Sequence, residues 1–302
     1  MPDRRFLFPK LGSRPRVLVP VLKGQMARAI MSIGDALLTF PGTSGSLLAL
    51  VEANPNLLVG LETQDERRRD MLRWLAGLDY ESEQRRRMKV VLRVTADVAS
   101  SIRDAVAETR STNLVLEWPT IRSPRRHRLS AMAVQLAGGL PADLMLVRSD
   151  PTAPNREVAP RSILAAIRGG PSARIVAATA AALADVYGCA LTLIHVESAS
   201  QHPDRSRREW ETFEEIVEEI RRPSTVARQR RGDSPAAGIL EEAVGHDLVI
   251  IGSRLDPRQP KVLVGRGLMR TVRRMQCPVV VIRPELAVSW APLGGAERSN
   301  IA

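Results

Sequence analysis

Short, unbroken apolar runs alternate with longer segments of helical spacing along most of this chain. In the later half, Arg161 to Ile167 reads as a buried strand. A Gly169-Gly170-Pro171-Ser172 turn leads into an alanine-rich helix that runs to about Tyr187. Gly188 stops that helix, because glycine readily takes the left-handed conformation that closes a helix end. A strand from Ala190 to Val196 follows, then helical spacing with one charged face from Trp210 to Ile220. Thr225 to Arg230 is a weaker strand. Gly232-Asp233-Ser234-Pro235 opens another helix, with Ser234 as N-cap and Pro235 in the first helical position. Asp247 to Ile251 is a strand closed by Gly252-Ser253. After a loop, Val264-Gly265-Arg266-Gly267 opens a basic helix, and Cys277 to Pro284 is the last strand. Strands apolar on both faces, alternating with helices, predict a parallel sheet covered on both sides.

The earlier half repeats this order with less fidelity. Arg16 to Val21 is its first strand, and Gly24-Gln25-Met26-Ala27-Arg28 recurs as Gly170-Pro171-Ser172-Ala173-Arg174. Leu47 to Val51 is the second strand. Thr63-Gln64-Asp65-Glu66 is a capping-box signature ahead of Met71, Leu72, Trp74 and Leu75. Met88 to Val94 is the third strand and Asp97 to Thr109 the third helix. Asn113 to Leu116 matches Asp247 to Ile250, and Asp143 to Arg148 matches Pro278 to Arg283. The expected organisation is an arm (1–15), a first unit (16–148), a Pro-rich linker (149–160), a second unit (161–284) and a flexible tail (285–302).

Composition changes the picture in two ways. The chain carries a formal charge of +11, with an excess of seven cations in residues 1–150 and four in the remainder, so the charge is not a basic tail. Such a field favours anionic partners. Aromatic residues are only 3% and do not interleave with the arginine runs at Arg67-Arg68-Arg69 and Arg85-Arg86-Arg87, so there is no stacking platform for bases. Nucleic acid is therefore not an expected partner. No apolar run reaches the roughly 18 residues of a membrane span. The two cysteines, Cys189 and Cys277, have no metal-ligand spacing, and a reducing cytoplasm is the simple reading.

Strand, glycine, loop, glycine and helix start is how an open parallel sheet seats a phosphate, since helix-start amides are unpaired and carry partial positive charge. With the repeat, these motifs make the chain resemble a tandem universal stress protein from about Arg16 to Pro284. The resemblance implies an α/β fold of two tandem Rossmann-like (adenine nucleotide alpha hydrolase-like) open five-stranded parallel sheets with helices on both faces. It also implies a dimer, or an intramolecular pseudo-dimer in which the last strands of the halves pair. Nucleotide-binding members carry glycine, two residues, glycine, nine residues, glycine, then a hydroxyl residue. Here Gly252 and Gly265 fit, Leu255 replaces the second glycine, and Arg266 replaces the hydroxyl. A first-strand aspartate near the ribose is replaced by Arg168. Both arginines prefer phosphate. A seat for ATP or AMP would use Ala166, Arg168, the backbone near Val196, Gly252, Ser253, Gly265, Arg266 and Gly267. In the alternative reading the seat has decayed and the arginines face water. In the earlier half, Leu22 takes the aspartate position, Trp118-Pro119 takes that of Gly252-Ser253, and the expected glycine falls near Ser130. Trp118 would fill the seat there, so no nucleotide is expected.

The four histidines are scattered, and His195, inside a strand, is expected to be packed or hydrogen-bonded. No serine elbow, Ser/His/Asp order or Walker motif occurs, and Asp256 beside proline is a turn former. The leading expectation is a non-catalytic cytoplasmic regulator. The runner-up is a nucleotide-independent regulator or a soluble module associated with a membrane transporter or an acidic membrane surface, with Phe6-Leu7-Phe8-Pro9 as a contact peptide.

Overall fold

The computed structural model describes residues 15–22, 27–39, 42–52, 61–77, 88–118, 136, 140–150, 152, 158–170, 172–198, 202–220, 222–253 and 264–284, without the side chains of 61–64. Within these, the strands are β1 (Arg16–Leu22), β2 (Ser44–Glu52), β3 (Met88–Thr95), β4 (Asn113–Glu117), β5 (Asp143–Arg148), β6 (Ser162–Ala166), β7 (Ala190–Ser198), β8 (Thr225–Gly232), β9 (Leu248–Gly252) and β10 (Val279–Arg283). The helices are α1 (Ala27–Leu38), α2 (Leu61–Ala76), α3 (Val98–Thr109), α4 (Ala173–Tyr187), α5 (Pro203–Ile220), α6 (Pro235–Glu242) and α7 (Arg266–Arg274). The arm to residue 14, the tail, Gly24 to Met26, Arg85 to Arg87, Pro119, His127, Ser130, Leu255 and Asp256 lie outside the described residues.

The expectation of two open five-stranded sheets is corrected in one respect: they are continuous through their last strands, the pairing the implied pseudo-dimer calls for. The strands form one ten-stranded sheet in the order β3-β2-β1-β4-β5-β10-β9-β6-β7-β8. Every pairing is parallel except the central one, where β5 and β10 run antiparallel with Val279 opposite Arg148 and Arg283 opposite Leu144. The reason is in those strands: all of β10 and all but the first residue of β5 are buried. Left as edges, such strands would present unpaired backbone groups on apolar ribbons. At the seam, the buried Arg148 guanidinium donates to the carbonyls of Met275 (2.8 Å) and Cys277 (2.6 Å).

Side chains alternate between the two faces of the sheet, as strand geometry requires. Val17, Val19, Ile163, Ala165, Leu191 and Leu193 pack with α1, α2, α4 and α5. Leu18, Leu164, Ala166, Ile194, Val196 and Val249 pack with α3, α6 and α7. The ends of the later helices follow the expected chemistry. Ser234 Oγ accepts from Ala237 N at 3.2 Å with Pro235 beside it, and Gly188 closes α4 at φ 61°.

Three boundaries differ from expectation. Helix α2 begins at Leu61, so Thr63 lies within the helix and is not its cap. Helix α5 begins at Pro203, about two turns before the periodicity becomes clear at Trp210. The pairing of the halves is also shifted by one residue at β4. Thr112 N donates to Arg16 O while Thr112 Oγ1 accepts from Arg16 N, and Asp247 does the same with Ser162 through its own amide and carboxylate. Thr112, not Asn113, is therefore the counterpart of Asp247.

Candidate functional site

Strand order reverses between β6 and β9: from β6 the chain moves outward to β7 and β8, while β9 and β10 lie on its other side. In open α/β sheets a crevice opens at such a point, beyond the carboxyl ends of the strands. Ala166 and Ile251 are paired neighbours across it. Gly252 ends β9, and a Cβ there would stand 2.5 Å from Ser172 Oγ and 3.2 Å from Val176 Cγ2. The glycine thus lets the start of α4 close onto the end of β9. Ser172 makes no side-chain cap to its own helix. Sequence reasoning missed this contact, because Ser172 and Gly252 are joined only by the fold.

Helix α7 begins at the other wall. Gly265 is its N-cap in extended backbone, without a side-chain cap, and Met269 N to Gly265 O (2.9 Å) is its first turn bond. The amides before Met269 have no partner inside the helix. No described atom lies within 4 Å of where a Cβ on Gly265 or Gly267 would stand. Gly265, Arg266 and Gly267 are exposed, and no described carboxylate pairs with Arg266.

Two expected phosphate or ribose contacts are placed differently. The amide of Ser253 donates to Ile282 O at 2.7 Å, continuing the β9–β10 ladder, and the residue is 1% exposed. Ser253 lies beneath the crevice and cannot offer that amide. Arg168 ion-pairs with Glu209 of α5 at 3.7 Å, and Glu209 also accepts from Arg205 at 2.9 Å. Gly169, at φ 84°, lets α5 approach here, since a Cβ would come within 3.2 Å of Glu209 Cγ. Val196 is buried, and a Cβ on Gly238 of α6 would meet its Cγ1 at 2.7 Å. The β6 ladder stops at Ala166 opposite Ile194, two residues short of Val196.

Near this crevice, Glu197 and the Nδ1 of His195 have structural partners. Glu197, at the end of β7, accepts from the Ser206 hydroxyl and from Arg231 Nε at 3.0 Å. These bonds, the Ser206 one foremost, hold its carboxyl below the usual range. His195 is wholly buried beside Trp210 and Phe213, with Nδ1 3.1 Å from Ile167 O. It is a core histidine and does not line the crevice mouth. Among the described residues no group of three His, Cys, Asp or Glu could hold a metal, and no helix is long and apolar enough to cross a membrane.

In the earlier half a bulky residue occupies the corresponding strand end. Trp118 N donates to Val147 O at 2.7 Å, the bond that Ser253 makes to Ile282, so Trp118 stands in the place of Ser253 and Glu117 in that of Gly252. The indole is 2% exposed and packs with Leu116, Leu136 and Leu140.

Residues 160–283 match the family model of the Universal stress protein family. No curated protein matches the chain. Among solved structures, the chain is similar to a universal stress protein from Archaeoglobus fulgidus DSM 4304 at 14% identity. That match covers 93% of this chain and 98% of the other, with a TM-score of 0.57. A putative universal stress protein from Pseudomonas aeruginosa UCBPP-PA14 gives 14% identity, 90% and 94% coverage and 0.57. The cytoplasmic domain of a prokaryotic cation chloride cotransporter gives 12% identity, 90% and 96% coverage and 0.52. At these identities the likeness is one of fold: an α/β architecture with a mostly parallel sheet.

Proposed function

We propose that this chain is a non-catalytic, cytoplasmic regulator of the universal stress type, whose later unit binds ATP or AMP by the phosphates. The carrying observation is the open start of α7. Gly265 gives no side-chain cap, the space beside Gly265 and Gly267 is clear of described atoms, and Arg266 stands there exposed with no described carboxylate as partner. A cation in the first turn of a helix is unfavourably placed against the helix dipole. A bound phosphate would reverse that balance, taking free amides and a charge-assisted guanidinium contact together. The family match over residues 160–283 supports this reading.

In this arrangement Gly252 and Ser253 form the floor. Ala166 and the backbone near Val196 line the base side, and the Arg168–Glu209 pair meets the ribose. Residues 16–148 form a second unit of the same type, joined through 149–160 and sealed by Trp118. The two units act as an intramolecular pseudo-dimer through β5 and β10. Calorimetric titration of the full chain with ATP and AMP tests this. Binding should weaken at least about tenfold in Arg266→Gln, the usual loss for a charged hydrogen bond. No heat at millimolar nucleotide would reject the reading. The second reading, a nucleotide-independent regulator or a module of a membrane transporter, would then stand. It is favoured only by the fold shared with the cotransporter domain.

A further inference from the structure

Helix α7 carries Arg266, Arg270, Arg273 and Arg274, all exposed, and no described carboxylate pairs with any of them. At about 100° per residue the four fall within an arc of about 100°, so they form one stripe. Several other arginines of the later half are matched. Arg174 holds Glu215 and Glu219, Arg205 holds Glu209, Arg222 holds Asp185, and Arg231 holds Glu197. The acids nearest in sequence on the neighbouring α6 are also taken, Glu241 by Arg230 and Glu242 by Arg228 and Arg230. Arg273 and Arg274 suit the carboxyl end of a helix. Arg270, at i+3 and i+4 from them, adds like-charge repulsion that nothing described offsets.

A second observation lies at the same edge. Strands β9 and β10 are parallel neighbours, so the turn entering β9 and the end of α7 entering β10 sit together at their amino ends. That turn exposes Val244 to 82%, the most exposed large hydrophobic side chain among the described residues. The turn is pinned: Ala243 is buried, Gly245 has φ 91°, and His246 bonds Glu242 O (2.9 Å) and Thr192 Oγ1 (3.2 Å). Val244 is thus held outward by the fold. On α7, Leu268 and Met269 are only partly buried.

The geometry points to a docking corner for an anionic lipid bilayer, made of Arg270, Arg273 and Arg274 with Val244 as its apolar tip. Cations with no described carboxylate partner, beside a projecting apolar side chain, match the headgroup and acyl layers of an acidic membrane surface. A nucleic acid would draw on the same charges but leave Val244 without a role, and the helix face offers neither aromatic rings nor amides to read bases. The corner lies at the opposite end of the strands from the crevice and does not include Arg266.

Cosedimentation of the full chain with phosphatidylglycerol–phosphatidylcholine vesicles tests the proposal against pure phosphatidylcholine vesicles and duplex DNA. The wild-type chain should pellet with the acidic vesicles alone and be released by salt. Each arginine contributes about fivefold, so Arg270→Gln, Arg273→Gln and Arg274→Gln combined should weaken partitioning roughly a hundredfold. Val244→Ser, which leaves charge unchanged, should weaken it severalfold, and Arg266→Gln should bind vesicles nearly as well as the wild type. Indifference of the wild-type chain to acidic vesicles would overturn the proposal. So would full binding by Val244→Ser or by a folded triple variant, or retention by DNA in place of vesicles. Loss of nucleotide binding alone would leave it intact.

Discussion

A methyl group on Gly252 would stand 2.5 Å from Ser172 Oγ and 3.0 Å from its Cβ, closer than packed atoms allow. Gly252→Ala must therefore push α4 away from the end of β9. The expected loss is about 1–3 kcal/mol, the usual cost of overpacking, read by chemical denaturation. Adding Ser172→Gly should return part of it, and an unchanged midpoint in Gly252→Ala would refute the close contact. The residue scale also shows where sequence reading stops. Gly252 stood out as a phosphate-loop glycine, yet its described neighbours give it a packing role as well. Ser253 matched the same motif, but the sheet consumes its amide through Ile282. Trp118 was expected to fill the seat of the earlier half, and its indole is buried at the end of β4.

At the scale of elements, local chemistry was readable wherever the cap lay within its own segment. Ser234 with Pro235 starts α6 as the spacing indicates, and the Ser234 hydroxyl accepts from Ala237 N. Ser234→Ala should cost about 1 kcal/mol, measurable as a lower unfolding midpoint, while Ser234→Asp should hold the wild-type value. An unaffected Ser234→Ala would mean that α6 is held in place by tertiary packing alone. The Thr63 signature misled because a capping box acts only if the chain enters the helix there. Helix α2 enters two residues earlier, at Leu61. The weak periodicity before Trp210 had a similar effect: the first turns of α5 are mostly exposed arginines and acids, and their helical state shows no apolar stripe.

For the whole molecule, the central antiparallel pair makes ten strands one sheet. A chain cut to residues 158–284 would expose β10, all of whose residues are buried in the intact protein. We expect that fragment to pair β10 with a second copy and run as a dimer in light scattering, while the intact chain gains nothing from that strand. A monodisperse, soluble monomeric fragment would count against the seam as a dominant contact. The likeness of neighbouring structures that span nine-tenths of the chain is consistent with both halves belonging to one architecture.

By itself the sequence determined the elements and the class of sheet. Apolar runs such as Val279 to Ile282 had to be buried on both faces, and helices alternating with such runs make the pairings within each half parallel. Three things were decided only by tertiary structure: the register in which β5 and β10 pair, that Ser172 meets Gly252, and that the arginines of α7 have no described carboxylate partner while those of β8 have one. Each depends on residues far apart in the chain. Hydrogen bonds between edge strands and the pairing of charges across helices are set by where the folded backbone brings them, and composition carries no record of that.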